Sequence, residues 1–311
     1  MKLSRPLIAL VVAACCWGAT FESPAADGNM NIIREKTETR LREIAGKSRG
    51  ALGYCVVDLT NGERLVWHEN APFPQASAIK IAILMEVYKQ ASEGKFKLTD
   101  KRRINKADKT GGSGVLIELG DGTVELSLHD LCVLMILVSD NTATNLLLDL
   151  VGMENVNRTL AALGLKQTRV GRRMMDSGAA WQGKENVSTP AEAARIMEIL
   201  FKGEFLNRAA CDEMIAILRK GKNTNLKAGL PADVIIANKP GGIPGVVTEW
   251  AIVYLKDRPY IVTVMENYGL PEDAPTAIKE ISKILHEHFS RLAKATSHGT
   301  YVEKPKISAT D

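Results

Sequence analysis

Phe73-Pro74-Gln75-Ala76-Ser77-Ala78-Ile79-Lys80 leads without a break into the apolar run Ile81-Ala82-Ile83-Leu84-Met85. Pro74 belongs to a loop, and the apolar periodicity from Ile79 to Ala91 predicts a helix, so Ser77 and Lys80 share one face of its first turn. A hydroxyl at a helix N-terminus gains from the local positive potential when an oxyanion forms beside it. A lysine one turn on can hold or take the hydroxyl proton if its own proton affinity is lowered, so the pair supplies a nucleophile and a base. The spacing alone carries little, since about one such match is expected by chance in a chain of this size, and Ser92-Glu93-Gly94-Lys95 is a second copy. Gly94 marks that copy as a helix stop, where the dipole disfavours a developing anion.

Downstream, Ser139-Asp140-Asn141 interrupts the apolar run Leu131 to Val138 and precedes Thr142-Ala143-Thr144-Asn145. These are preferred N-cap residues, and capping is the plain reading. The flanking apolar segments would also bury them, which is costly unless they meet partners or substrate. The third element is Asn238-Lys239-Pro240-Gly241-Gly242, at the end of a strand read over Asp233 to Ala237. Its lysine could be a charged sheet edge and its glycines a turn. The functional alternative, favoured by its place in the chain, is a cation with backbone N–H groups facing the nucleophile across a cleft.

The rest of the chain organises around these elements. Asn61-Gly62 joins Ala51–Leu59 to Arg64–His68 as a hairpin. Val246–Leu255 and Pro259–Glu266 read as further strands, Asn31–Lys47 and Ala274–Ala293 as amphipathic helices at either end. Between them, 77–220 is dominated by helical periods: Leu128–Leu137, Thr142–Leu150, Val156–Leu163, Pro190–Phe201 and Ala209–Leu218. The expected fold is therefore α/β plus all-α. Residues 26–76 and 221–296 form an antiparallel sheet flanked by helices, with the helical domain 77–220 inserted and 297–311 a frayed tail.

Composition narrows the function. A chain of 311 residues that is 45% apolar and 24% charged can bury a full core, and a net charge of +4 with scattered basic residues offers no track for nucleic acid. Lys2 and Arg5 precede an apolar run from Pro6 to Ala14 that is too short to span a bilayer, so residues 1–25 read as an export signal cleaved after Ala25. The product is expected in the periplasm. Val12-Ala13-Ala14-Cys15 also resembles a lipobox, which would instead anchor the chain through lipid on Cys15. Cys55, Cys132 and Cys211 remain, an odd number. No cysteine or histidine pattern has metal-ligand spacing, and neither metal nor cofactor is expected.

Taken together, S-x-x-K at Ser77, S-D-N at Ser139 and K-x-G at Lys239, in that order, resemble the active-site set of the penicillin-recognising serine enzymes, and the chain is similar to class A β-lactamases along its mature length. The literal Lys109-Thr110-Gly111 precedes the S-D-N element and lies in a polar, glycine-rich stretch, so it reads as a loop. The resemblance implies a β-lactam or peptidoglycan-like small molecule as substrate and a monomeric enzyme. It makes Ser77 the nucleophile, Lys80 the base or its partner, Ser139 a proton relay and Lys239 an electrostatic stabiliser. Asn141 would orient the substrate amide, and Gly241 and Gly242 would line its binding site, with the N–H groups of Ser77 and Gly242 as the oxyanion hole.

Three departures qualify what the resemblance implies. Pro240 replaces the hydroxyl residue of the third motif, and Val246-Val247-Thr248-Glu249 supplies no arginine for a substrate carboxylate. Gly164–Arg172 matches the approach to the family's omega loop, yet the register places Met174 where the deacylating glutamate stands. Asp176 and Glu185 are the nearest substitutes, although pairing with Arg172 or Arg173 is an equal reading of such carboxylates. Leu84 stands where the partner of Cys132 would be, so no disulfide is expected there. The candidate functions are a serine β-lactamase, a slowly deacylating penicillin-binding peptidase or esterase, and a non-catalytic exported binder of cell-wall fragments.

Overall fold

The Asn61-Gly62 pair closes a tight hairpin: Gly62 takes a left-handed φ of 80° and its N–H bonds the Asp58 carbonyl at 2.8 Å. The strands it joins open the sheet in the computed structural model, which describes residues 24–296 and 298–301. In chain order the elements are α1 (Pro24–Lys47), β1 (Ala51–Asp58), β2 (Arg64–Trp67), β3 (Phe73–Pro74), α2 (Lys80–Ser92), β4 (Lys101–Ile104), β5 (Val124–Ser127), α3 (Leu128–Leu137) and α4 (Asn141–Val151). There follow α5 (Met153–Ala162), α6 (Ser177–Trp181), β6 (Val187–Ser188), α7 (Pro190–Lys202), α8 (Arg208–Leu218), α9 (Asn225–Ala228), β7 (Ile235–Ile243), β8 (Val246–Tyr254), β9 (Tyr260–Asn267) and α10 (Asp273–Lys294). A 3-10 turn over Ala76–Ile79 precedes α2.

The sheet is antiparallel with strand order β2-β1-β9-β8-β7, so the N-terminal hairpin is zipped to the C-terminal strands through β1 and β9. This is the expected sheet, and its two faces follow from the period of two along each strand. Tyr54, Val56, Val262 and Val264 face α1 and α10 with Leu41, Ile281, Leu285 and Phe289. Cys55, Val57, Trp250 and Ile252 face the other way and join a second apolar cluster with Ile79, Leu131, Leu147, Ile196 and Met214. That cluster runs without interruption from the sheet into the helical segment, which holds the two on either side of the cleft.

One difference in the strands matters for the site. The stretch expected to end at Ala237 continues to Ile243, so Lys239, Pro240, Gly241 and Gly242 lie within β7 rather than in a turn after it. Proline is tolerated because β7 is an edge strand, where a missing N–H costs no ladder bond on the open side. Leu84 and Cys132 are both fully buried, and Cys132 is a free thiol in the core, as the sequence indicated. Among the described residues no helix is long and apolar enough to cross a membrane. Residues 1–23, with Cys15, and the tail beyond Tyr301 lie outside the described residues.

Candidate active site

Ser77 lies in the 3-10 turn at the mouth of α2, and what holds it there is mostly Gln75, a residue the sequence reading passed over. Gln75 is fully buried. Its Nε2 donates to the Phe73 carbonyl at 2.8 Å, its Oε1 accepts from Trp250 Nε1 at 2.9 Å, and its carbonyl accepts from Thr248 Oγ1 at 3.1 Å. Backbone bonding to Asn186 adds a fourth tether. The segment that carries Ser77 is thus bolted to β8 through a buried amide, which must find partners for every polar atom. A glutamine between Pro74 and Ala76 carries no periodic signal, so only the tertiary contacts reveal it.

Glycine at 241 has a steric reason. A Cβ there would stand 2.5 Å from the Gln75 carbonyl oxygen and 2.8 Å from the backbone nitrogen of Ser77. Strand β7 therefore presses directly on the turn that carries Ser77. Gly242, the next residue, lines the cavity beside Ser77.

Lys80 begins α2 and is fully buried. Its Nζ donates to the Ser139 carbonyl at 2.7 Å, to Ser139 Oγ at 3.1 Å and to Asn141 Oδ1 at 2.8 Å. Ser139 takes a left-handed backbone, φ 57°, an expensive conformation for a non-glycine and one concentrated at functional sites. Burial lowers the Lys80 pKa to about 7, against a smaller opposing pull from Asp140. Lys239 reaches the same hydroxyl from the other side: its Nζ donates to Ser139 Oγ at 3.1 Å and to the Pro240 carbonyl at 2.7 Å. Burial first, and then the neighbouring charge of Lys80, hold its pKa well below the usual lysine range.

The S-D-N element divides its labour. Asp140 is the helix cap that the plain reading expected: Oδ1 accepts from Ala143 N at 2.9 Å, and Oδ2 from Val115 and Leu116 N. Ser139 and Asn141 face the lysine. Asn141 Nδ2 also donates to the Gly111 carbonyl at 2.9 Å, so the literal K-T-G segment is a loop, as read, yet one that walls the cleft. Lys109 itself turns to an ion pair with Asp121 at 2.8 Å.

A cavity of about 380 Å³ opens in front of Ser77, lined by Asn141, Gly112, Ser113, Arg172, Met174, Met175, Asn186 and Gly242 among others. Among the described residues no carboxylate lines it. Met174 is held in place by Asn145, whose Oδ1 accepts from Met174 N at 2.9 Å and whose Nδ2 donates to Met174 O at 3.2 Å. Glu185 pairs with Arg172 through Nε at 2.9 Å and Nη2 at 3.1 Å, closing the neck of the loop. Asp176 caps α6 through Ala179 N at 2.9 Å. The structure thus brings Ser77, Lys80, Ser139, Asn141, Lys239, Gly241 and Gly242 to one cleft, while Asp176 and Glu185 are engaged elsewhere.

The family model "Beta-lactamase enzyme family" matches residues 36–289. An imipenem-hydrolysing β-lactamase of Enterobacter cloacae is 25% identical over 273 residues, covering 85% of this chain and 90% of that one. An ancestral class A β-lactamase superposes with a TM-score of 0.75 at 29% identity, over 81% of this chain and 100% of the other. A PBP-A variant, solved as its acyl-enzyme complex with penicillin G, gives a TM-score of 0.75 at 25% identity, over 83% of this chain and 97% of the other. With one hydroxyl shared between two buried lysines, and with this likeness running nearly end to end, the chain belongs to the class A β-lactamase family of serine hydrolases.

Proposed function

We propose that Ser77 attacks the carbonyl of a β-lactam, that the ring opens onto the serine, and that the acyl-enzyme is then released slowly. The observation carrying this reading is the cavity itself: Ser77 lines it together with Asn141, which accepts from Lys80, and among the described residues its lining offers no carboxylate to activate water. Lys80 in its free-amine form accepts the Ser77 proton as the C–O bond forms. Ser139, held between the two lysines, passes a proton to the lactam nitrogen as the C–N bond breaks and is reprotonated from Lys80. The N–H groups of Ser77 and Gly242 hold the oxyanion, where one lost donor typically costs about 2.7–4 kcal/mol. Export to the periplasm fits a substrate that meets the cell wall, and the signal-like residues 1–25 support it.

Intact-mass spectrometry tests the proposal. After exposure to benzylpenicillin the protein should gain one penicillin mass, located on the Ser77 peptide and persisting after free drug is removed, with Ser77→Ala as the blank. Binding without covalent mass would instead make the chain a non-catalytic binder, and steady nitrocefin hydrolysis without accumulation would remove the slow step.

The contact between β7 and the serine turn gives a second test. Gly241→Ala must push the strand off the backbone of Gln75 and Ser77. Misplacement near 1 Å can cost about 10²-fold, so acylation by a fluorescent penicillin should fall by roughly that factor. An unchanged labelling rate would show that this approach does not set the nucleophile's position.

A further inference from the structure

Two residues on the rim of the cavity fit together in a way that acylation as described leaves unused. Met175 lies between neighbours that are already fixed, since Asn145 holds the Met174 backbone from both sides and Asp176 caps α6. The chain passes from one to the other through a left-handed φ of 64° at Met175, a costly conformation for a residue with a side chain. That turn separates the two methionines. Met174 is buried, whereas Met175 is 59% exposed and still lines the cavity.

The Met175 side chain meets Gly112, an exposed glycine with a φ of 89° in the loop before the S-D-N element. A Cβ at 112 would stand 2.9 Å from Met175 Sδ and 2.7 Å from Asn141 Nδ2, so sulfur and amide flank the same point and only glycine leaves room for both. Their depths differ. Asn141 is buried, and the thioether lies on the rim outside it. Asn141 Nδ2 gives one of its two hydrogens to the Gly111 carbonyl at 2.9 Å, and the second is available to an acyl group entering the cavity. An amide oxygen that takes this hydrogen has to come in beside the sulfur.

We propose that Met175 selects among β-lactams by the width of the acyl side chain. Seated against Gly112, its thioether narrows the approach to Asn141. A side chain that is slender next to its amide enters, and one that is crowded there must displace the sulfur. Methionine suits such a gate because its unbranched chain adapts to what it touches, while the clamped backbone on either side keeps it in place. The proposal rests on Ser77 as the acylated residue and on Asn141 as the partner of the substrate amide.

Two penicillins test it. Benzylpenicillin carries a methylene between its ring and the side-chain carbonyl, whereas methicillin bonds a dimethoxyphenyl ring directly to that carbonyl. The measurement is how fast each drug blocks labelling by a fluorescent penicillin, taken as the ratio of the two rates in the wild type, Met175→Ala and Met175→Leu. A single methylene in an apolar pocket discriminates by about tenfold or more, so Met175→Ala should raise the methicillin rate by about tenfold and leave benzylpenicillin within about twofold. Met175→Leu keeps the bulk and should keep the wild-type ratio. A Met175→Ala ratio equal to the wild type's overturns the proposal, because a loop that had only loosened would slow both drugs alike. So does a Met175→Leu ratio that falls as far as the alanine variant's. A wild-type protein that takes no fluorescent label would defeat the Ser77 reading, and this proposal with it, and is read first.

Discussion

On the proposed slow release, Met174→Glu should convert accumulation of acyl-enzyme into continuous hydrolysis. Deacylation needs a base to take a proton from water as the ester is attacked, and thioether sulfur does not serve. General bases are worth about 10²–10⁴-fold, so the first-order loss of penicillin from Ser77 should accelerate by about 10²-fold or more. The position is prepared for the exchange. Asn145 clamps the Met174 backbone on both its N–H and its carbonyl, the side chain lines the cavity in front of Ser77, and methionine and glutamate are of similar length. Met174 is also 7% exposed and part of the apolar core, so the new carboxylate is partly desolvated. A cost of about 1–3 kcal/mol in stability should accompany the gain, visible as a lower Tm. Stopped-flow labelling followed by chase with unlabelled drug measures the rate. A chase rate equal to the wild type's would show that the missing carboxylate is not what limits turnover.

Lys80→Met should have an effect of similar size in the other direction. Loss of a general base predicts acylation slower by about 10²–10⁴-fold. With the free amine as the proposed base, wild-type acylation should fall as pH drops through about 7. The variant's residual rate should lack that limb. Stability carries an independent signature, because the folded pKa of about 7 lies below the unfolded value of about 10.4. Between the two the unfolded chain binds the extra proton, so stability from this group rises with pH across that window. Below it, both states hold the proton and the native state bears the whole cost of a buried ammonium. Lys80→Met should therefore raise Tm more at pH 6 than at pH 9, offset by three lost hydrogen bonds. Equal changes at both pH values would mean that Lys80 is charged throughout.

These two residues illustrate what could be read from the chain. Met174 was legible as a departure because the register from Gly164 to Arg172 counts forward to it. Its surroundings needed the fold, since only the tertiary contacts reveal that Glu185 pairs with Arg172 and that Asp176 caps α6. Lys80 was legible as a base candidate from its spacing to Ser77, a local property of a helix turn. Its partners, 59 and 61 residues away, were not.

The sequence by itself determined the first hairpin, the long helices and most of the main sheet, because hairpin turns, helix periods and caps are written in neighbours a few residues apart. Asn61-Gly62, the apolar runs around Ser139 and the helix stop at Gly94 are of this kind. Tertiary structure alone decided the chemistry between elements. It carried β7 through Pro240 because an edge strand has no partner for the absent N–H. It gathered Lys80 and Lys239 around the one hydroxyl of Ser139, where burial and the neighbouring charge loosen the hold of Lys239 on its proton. Charge interactions in a low-dielectric interior depend on distance in space and on the removal of water, and neither quantity is a function of separation along the chain.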